Sequence, residues 1–182
     1  MGVKKQKIVK RSERLSFMDT TGDGASFARM TKFTSLKGSK NPKEYSRQYV
    51  DMDVESSDVV GYAPAIEYSF DRHTDTPVHE KIAEITDDEL LGTDTYVDIV
   101  TVDKFAVDSK GNAPARKRTY SVVADSEGDG TDALIYSGNF KAVSEITEGY
   151  ATTADEWQQK LFSTWQWPAG RPEICLTVSK VL

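Results

Sequence analysis

Apolar and polar residues alternate along most of the chain, and this pattern predicts a mainly β protein. Ile66, Tyr68 and Phe70 recur at every second position of the segment 65–71, as in a half-buried strand. Turn-forming residues separate such segments at regular intervals, which favours an antiparallel β-sandwich or barrel. Gly138, inside one of them, predicts a bulge or a close backbone approach. The remaining predicted strands cover residues 27–36, 96–107, 117–125, 134–145 and 174–181.

One segment has the helical period instead. Val78, Ile82 and Ile85 follow i, i+4, i+7 spacing behind Thr76, which can cap a helix. A single helix over residues 76–91 should therefore pack one apolar stripe against the sheet.

Residues 153–167 fit both periods. A capping-box pair, Thr153 and Glu156, precedes a helical face, whereas the end of the segment alternates like a strand. We interpret the segment as a strand, with a helix as the alternative. The helical face would contain Trp157, Leu161 and Trp165, and the strand face Leu161, Ser163, Trp165 and Trp167.

The segment 41–62 is too polar for a core and too long for an ordinary turn. Connections longer than about 12–15 residues in compact domains tend to be functional or disordered. Alternation on its first side and acidic residues in its middle predict a hairpin arm, which could reach roughly 33 Å at ten residues per side. We expect this arm to bind another copy of the chain. Its assigned inter-subunit residues are Tyr45, Arg47, Tyr49, Asp51, Asp53, Glu55, Asp58 and Tyr62.

Charge is distributed unevenly over the 182 residues. The net charge is −6, but residues 1–47 hold 12 basic and 4 acidic residues, and the rest hold 11 and 25. This polarity favours self-association over nucleic-acid binding, because no recognition motif accompanies the basic part. Residues 1–26 are predicted to be a basic arm, flexible or ordered by assembly, and residues 27–182 a single β-domain. No apolar run is long enough to predict a membrane span.

Two Gly-Asp-Gly turns resemble calcium loops only superficially. A loop beginning at Asp125 would have Tyr136 at position twelve, where a bidentate Glu is required. A loop beginning at Asp19 would have Met30 there. Both are interpreted as ordinary turns.

Other chemistry has little support in the sequence. His79 and Glu80 begin like a zincin helix, but Ala83 occupies the position of the second histidine. No nucleophile elbow, dinucleotide fingerprint or P-loop occurs, and Cys175 is typical of a small buried hydrophobe. We therefore predict no enzyme activity and no cofactor. The alternative from another class is a small β-rich metal-binding or enzyme domain that uses Asp71, His73 and Asp75.

Two stretches carry a resemblance to a known family. They are EYSRQYVDMDVESSDVVGYAPAIEYSFDRHTDTPVHEKIAEITDDELLGTD and ARKRTYSVVADSEGDGTDALIYSGNFKAV. Over roughly residues 27–165 the chain resembles the major tail tube proteins of long-tailed, siphophage-type bacteriophages.

The resemblance implies a β-sandwich or barrel with one flanking helix, assembled into stacked hexameric rings. These rings would form a hollow virion tail tube for DNA ejection, made in the bacterial cytoplasm, with residues 41–62 bridging the rings. Its implied partners are further copies, a tape-measure protein, a tail terminator, tail-tip or baseplate proteins and DNA that passes without tight binding, but no membrane. Alternatives of the same kind are a capsid decoration protein and the tube of a related injection or secretion machine.

Overall fold

The structure is a computed structural model that describes residues 7–24, 27–109, 111–128, 131–152 and 164–166. The fold is mainly β and antiparallel, with one α-helix and one long extended hairpin in the described part of the chain, which confirms the predicted fold class. No helix among these residues is long and apolar enough to cross a membrane.

Eleven strands and one α-helix are described. The strands are β1 Arg14–Asp19, β2 Phe27–Arg29, β3 Phe33–Ser39, β4 Pro42–Arg47, β5 Ser56–Tyr62, β6 Ala65–Asp71, β7 Tyr96–Asp103, β8 Ala113–Glu127, β9 Ile135–Ala142, β10 Thr147–Thr152 and β11 Thr164–Gln166, and the helix is α1 Pro77–Asp87.

The chain divides into two compact units, and β8 contributes residues to each. In the first unit, β1 lies between β2 and β7, β8 follows β7, and β10 pairs with β8 and β11. In the second unit the strand order is β8, β9, β6, β3, and β4 pairs with β5 in a separate two-stranded sheet. A single β-domain over residues 27–182 stays a prediction. The first unit comprises Met1–Thr31, Val97–Thr119 and Glu145–Leu182, and the second Lys32–Tyr96 and Tyr120–Ser144.

The core of the first unit includes β1. Leu15 and Phe17 alternate into it beside Phe27, and the Arg14 guanidinium donates to the buried Asp103 carboxylate, with 2.6 Å between Nε and Oδ1. The prediction of an arm over residues 1–26 therefore does not hold for Arg14–Asp19. The rest of this core is formed by Val100, Val102, Ala113, Ala115 and Ala151.

An aromatic core holds the second unit together. Phe70 stacks on the fully buried His79 ring with 4.2 Å between centroids, and Tyr68 contacts Phe140 at 4.6 Å. The helix α1 buries the predicted stripe of Val78, Ile82 and Ile85 in this unit.

The helix ends earlier than the sequence predicts. Its last helical residue is Asp87, and Glu89 two positions later has a φ of 48°, in the left-handed region. The Leu90 amide then donates to the Ile85 carbonyl, which satisfies one of the last helical acceptors. At the other end, Thr76 is the N-cap residue, but its side chain makes no capping hydrogen bond.

Several strand boundaries also differ from the predictions. The predicted strand 27–36 is two strands, β2 and β3, because Lys32 between them has a φ of 60°. The strand β8 begins at Ala113, four residues before the predicted strand 117–125, and β10 has no counterpart in the prediction. Within 153–167 the strand prediction is confirmed only for Thr164–Gln166, and the rest lies outside the described residues, as do 174–181 and Cys175.

Candidate assembly site

The predicted arm is a β-hairpin that continues the β3–β6 ladder. That ladder ends with Ser39 opposite Ala65, and the β4–β5 ladder begins with Pro42 opposite Tyr62. Asn41 lies between the two ladders with a φ of 43°, a left-handed conformation that asparagine tolerates better than most residues.

Asn41 also closes the base of the hairpin. Its carbonyl accepts the Ala63 N–H at 3.0 Å, and its Nδ2 donates to the Ala63 carbonyl at 3.1 Å and to Ser39 Oγ at 3.3 Å. The two chain ends of the hairpin are therefore held side by side independently of β4 and β5.

The register of the hairpin gives it two different faces. Tyr45 opposes Asp58 on one face, and the Arg47 guanidinium lies 5.9 Å from the Tyr45 ring centroid on that same face. Ser46 opposes Ser57 on the other face, where their hydroxyl groups hydrogen-bond at 3.0 Å. A bulge interrupts the β4–β5 register at Lys43/Glu44. Strands of six and seven residues span about 20 Å, less than the predicted reach of about 33 Å.

Every residue from 40 to 60 is exposed. Val50 is fully exposed, and Val54 and Val60 are 76% and 65% exposed. An isolated two-stranded hairpin is marginally stable in water, and contiguous exposed apolar side chains mark interaction surfaces. The hairpin is therefore the best candidate for a surface that is covered on assembly. Its exposed large apolar residues are Tyr45, Tyr49, Val50, Met52, Val54, Val59, Val60 and Tyr62.

The predicted arm residues lie in three places. Tyr45 and Arg47 share a face of β4, but Tyr49 and Asp51 lie beyond the end of β4. Residues 48–55, called the arm tip below, include Tyr49, Asp51, Asp53 and Glu55, whereas Asp58 and Tyr62 are in β5. Within the tip the Met52 N–H donates to the Tyr49 carbonyl at 3.1 Å.

Sequence reasoning missed the apolar residues of the tip. Val50, Met52 and Val54 alternate with the acids, and this period-two pattern was the signal that could have identified them. The tip is therefore an apolar surface with acidic residues interspersed, rather than an acidic loop.

The competing histidine site does not form among the described residues. His73 Nδ1 donates to the Asp71 carbonyl at 2.7 Å, and the His73 amide donates to Nδ1 of the buried His79 at 3.2 Å. These bonds use the imidazoles to fix the entry into α1. No three His, Cys, Asp or Glu side chains in the described ranges are grouped as a metal ion requires.

The first Gly-Asp-Gly turn has an internal role. The buried Asp19 carboxylate accepts the amides of Thr21, Gly22 and Gly24 at 3.0, 3.1 and 2.6 Å. Its acceptor capacity is used to hold the turn, as expected for an Asx-type turn.

No protein-family profile and no curated protein sequence matches the chain. Several solved structures match the chain, and the following are two of them. A chain from the tail of an empty GTA particle, computed with helical refinement in C6 symmetry, has a TM-score of 0.55 at 9% identity, over 77% of this chain and 98% of that one. A chain from the 6-fold symmetrised baseplate of the anti-feeding prophage has a TM-score of 0.48 at 7% identity, over 80% and 97%, and this likeness is too distant to bear on the fold. The chain thus shares its fold with a component of a particle tail.

Proposed function

We propose that the chain is a virion structural protein whose copies form stacked hexameric rings, and that these rings build the hollow tail tube through which DNA is ejected. The fold shared with the GTA tail chain supports this class of protein, and the C6 symmetry of that particle suggests six copies per ring. Further partners in this proposal are a tape-measure protein, a tail terminator and tail-tip or baseplate proteins.

The observation that carries the proposal is the uninterrupted exposure of residues 40–60. A hairpin with no core of its own gains little stability unless another surface covers it. When the hairpin of each copy binds a different surface of the next copy, the contact is heterologous, and its repetition yields rings or open filaments. Stacked rings meet both requirements, because the contact between copies repeats and the hairpin of each copy is covered by another copy.

The first test is the state of the purified full-length chain. We expect analytical ultracentrifugation to detect oligomers above a critical concentration, and negative-stain microscopy to detect rings or hollow tubes. A chain that stays monomeric at the highest attainable concentration contradicts the proposal.

The second test removes the hairpin at the point where its ends already meet. Replacing Pro42–Tyr62 with Gly-Gly leaves Asn41 next to Ala63, whose backbone groups are hydrogen-bonded in the structure. We expect a folded chain, with a cooperative thermal unfolding transition like that of the wild type, that no longer stacks. Tubes of normal length from this variant would contradict the role of the hairpin.

A further inference from the structure

Charge on the hairpin is segregated along its length. Residues 32–47, at and before its first strand, hold five basic residues and one acidic residue, whereas residues 48–58 hold four acidic and no basic residues. Among the ion pairs of the described residues, none involves Lys40, Lys43 or the acids of the tip.

Lys40 and Lys43 lie too far from the acids of the tip for the two groups to pair within one copy. Lys40 and Lys43 precede the tip by eight and five residues, roughly 17–26 Å along an extended strand. The Debye length at physiological ionic strength is about 8 Å, so solvent screens most of the attraction over that distance.

We propose that the arm tip of one copy docks on the positively charged base of the hairpin of a second copy. The base comprises Lys40, Lys43 and Tyr45, and the tip supplies Asp51 and Asp53. The docking identifies the partner surface of the proposed tube assembly and therefore rests on that function.

The surfaces also match in their apolar parts. The tip exposes Val50, Met52 and Val54 between its acids, and the base exposes the Tyr45 ring. Arg47 stacks near that ring, and this contact holds it in place on the face of the hairpin. Docking would remove apolar surface from water while lysine ammonium groups meet carboxylates at the rim.

Nearby acids do not cancel the charge of the base. Glu67 opposes Lys37 across the β3–β6 ladder, which leaves Lys40 and Lys43 as the charges available for docking. Glu44 follows Lys43 at the bulge in the β4–β5 register, and it is the single acid beside the five basic residues of segment 32–47. Asp58 shares the face of Tyr45 and reduces the positive charge there without reversing it.

A charge swap tests the contact directly. Three variants are needed: Lys40→Glu with Lys43→Glu in the base, Asp51→Lys with Asp53→Lys in the tip, and all four changes in one chain. All four side chains are exposed, so each variant should fold like the wild type. We expect either pair alone to raise the critical concentration for assembly by about tenfold or more, and the four changes together to restore it to within about threefold of the wild type.

The matched control makes the same charge change elsewhere in the second unit. Asp88→Lys with Asp132→Lys alters two exposed acids outside the hairpin and should leave the critical concentration unchanged. Assembly that is indifferent to the tip or base changes, or that the fourfold variant fails to restore, overturns the docking but leaves the tube proposal intact. A wild-type chain that does not assemble overturns both.

Discussion

At the scale of single residues, Gly138 determines how closely β9 can approach its neighbours. A Cβ at this position would lie 2.5 Å from the Val123 carbonyl oxygen and 2.6 Å from Tyr68 Oη. Neither atom can move away easily, because one belongs to the backbone of β8 and the other to a buried ring. The close approach inferred from a glycine within a strand is confirmed at this position.

We therefore predict that Gly138→Ala lowers the free energy of unfolding by about 1–3 kcal/mol, the usual cost of overpacking. Gly38→Ala is the control, since a Cβ on this other strand glycine meets no atom within 4 Å. Urea denaturation of both variants measures the difference. Equal stabilities would refute the steric explanation.

Tyr68 combines deep burial with an unpaired hydroxyl group. Its Oη has no hydrogen-bond partner among the described residues, and the nearby Thr86 hydroxyl donates instead to the Ile82 carbonyl at 2.8 Å. Burial raises the pKa of Tyr68 from 10.0 to about 12. An unsatisfied buried hydroxyl destabilises a fold, so Tyr68→Phe should increase the free energy of unfolding by about 1 kcal/mol at neutral pH.

The same substitution should change the response of the protein to alkali. Above pH 10 the unfolded chain loses the Tyr68 proton while the folded chain keeps it up to about pH 12. The folded state then binds more protons, so stability falls as pH rises, by up to about 1.4 kcal/mol per pH unit. Denaturation at several pH values between 9 and 11.5 should give a shallower decline for Tyr68→Phe. Parallel curves for the two proteins would contradict this assignment.

At the scale of elements, β1 is the largest departure from the sequence-based expectation. The sequence predicts a basic arm over residues 1–26, whereas β1 buries Leu15 and Phe17. Phe17 is buried, whereas Ile8, which precedes β1, is 89% exposed.

We predict that Phe17→Ala costs about 3–5 kcal/mol of stability and that Ile8→Ala costs almost nothing. Both changes remove a large apolar side chain from the predicted arm, so they differ mainly in burial. Thermal denaturation of the two variants provides the comparison. A small effect of both would restore the interpretation of this segment as an arm.

The local pattern predicted the elements that bury a periodic apolar face. The alternation of β6 and the apolar stripe of α1 are confirmed because each element buries its own periodic face. The pattern did not predict the ends of elements that are determined by a single backbone conformation. Lys32 and Glu89 are two such positions, and no side-chain preference indicated their positive φ angles. The pattern also failed for β10, whose sequence TEGYAT has no alternation of apolar and polar residues and which pairs with residues of β8 30 or more positions earlier.

The hairpin was predictable as an element, but its surface was not. Length and polarity indicated an extended excursion over residues 41–62, and the structure confirms a hairpin there. Its acidic residues predict a polar tip, whereas Val50, Met52 and Val54 make the surface of the tip partly apolar. Whether an alternating apolar residue is buried or exposed depends on the presence of a second layer, which the alternation itself does not encode.

At the scale of the whole molecule, net charge determines how strongly the proposed tube would bind DNA. The chain has a net charge of −6. Protein–DNA affinity arises largely from basic side chains that release counterions, and it therefore falls steeply with salt. A conduit that bound phosphates tightly would impede the passage of DNA through it.

We predict that neither the free nor the assembled protein retards duplex DNA in gels at 150 mM salt. A useful comparison is the variant with Lys at positions 51, 53, 55 and 58, since four replacements that each add two units bring the net charge from −6 to +2. This variant should bind DNA weakly at low salt and release it as salt is raised. Retardation by the wild type that depends steeply on salt would mean that its basic segment is free to bind phosphate, and a role in passive conduction would then be excluded.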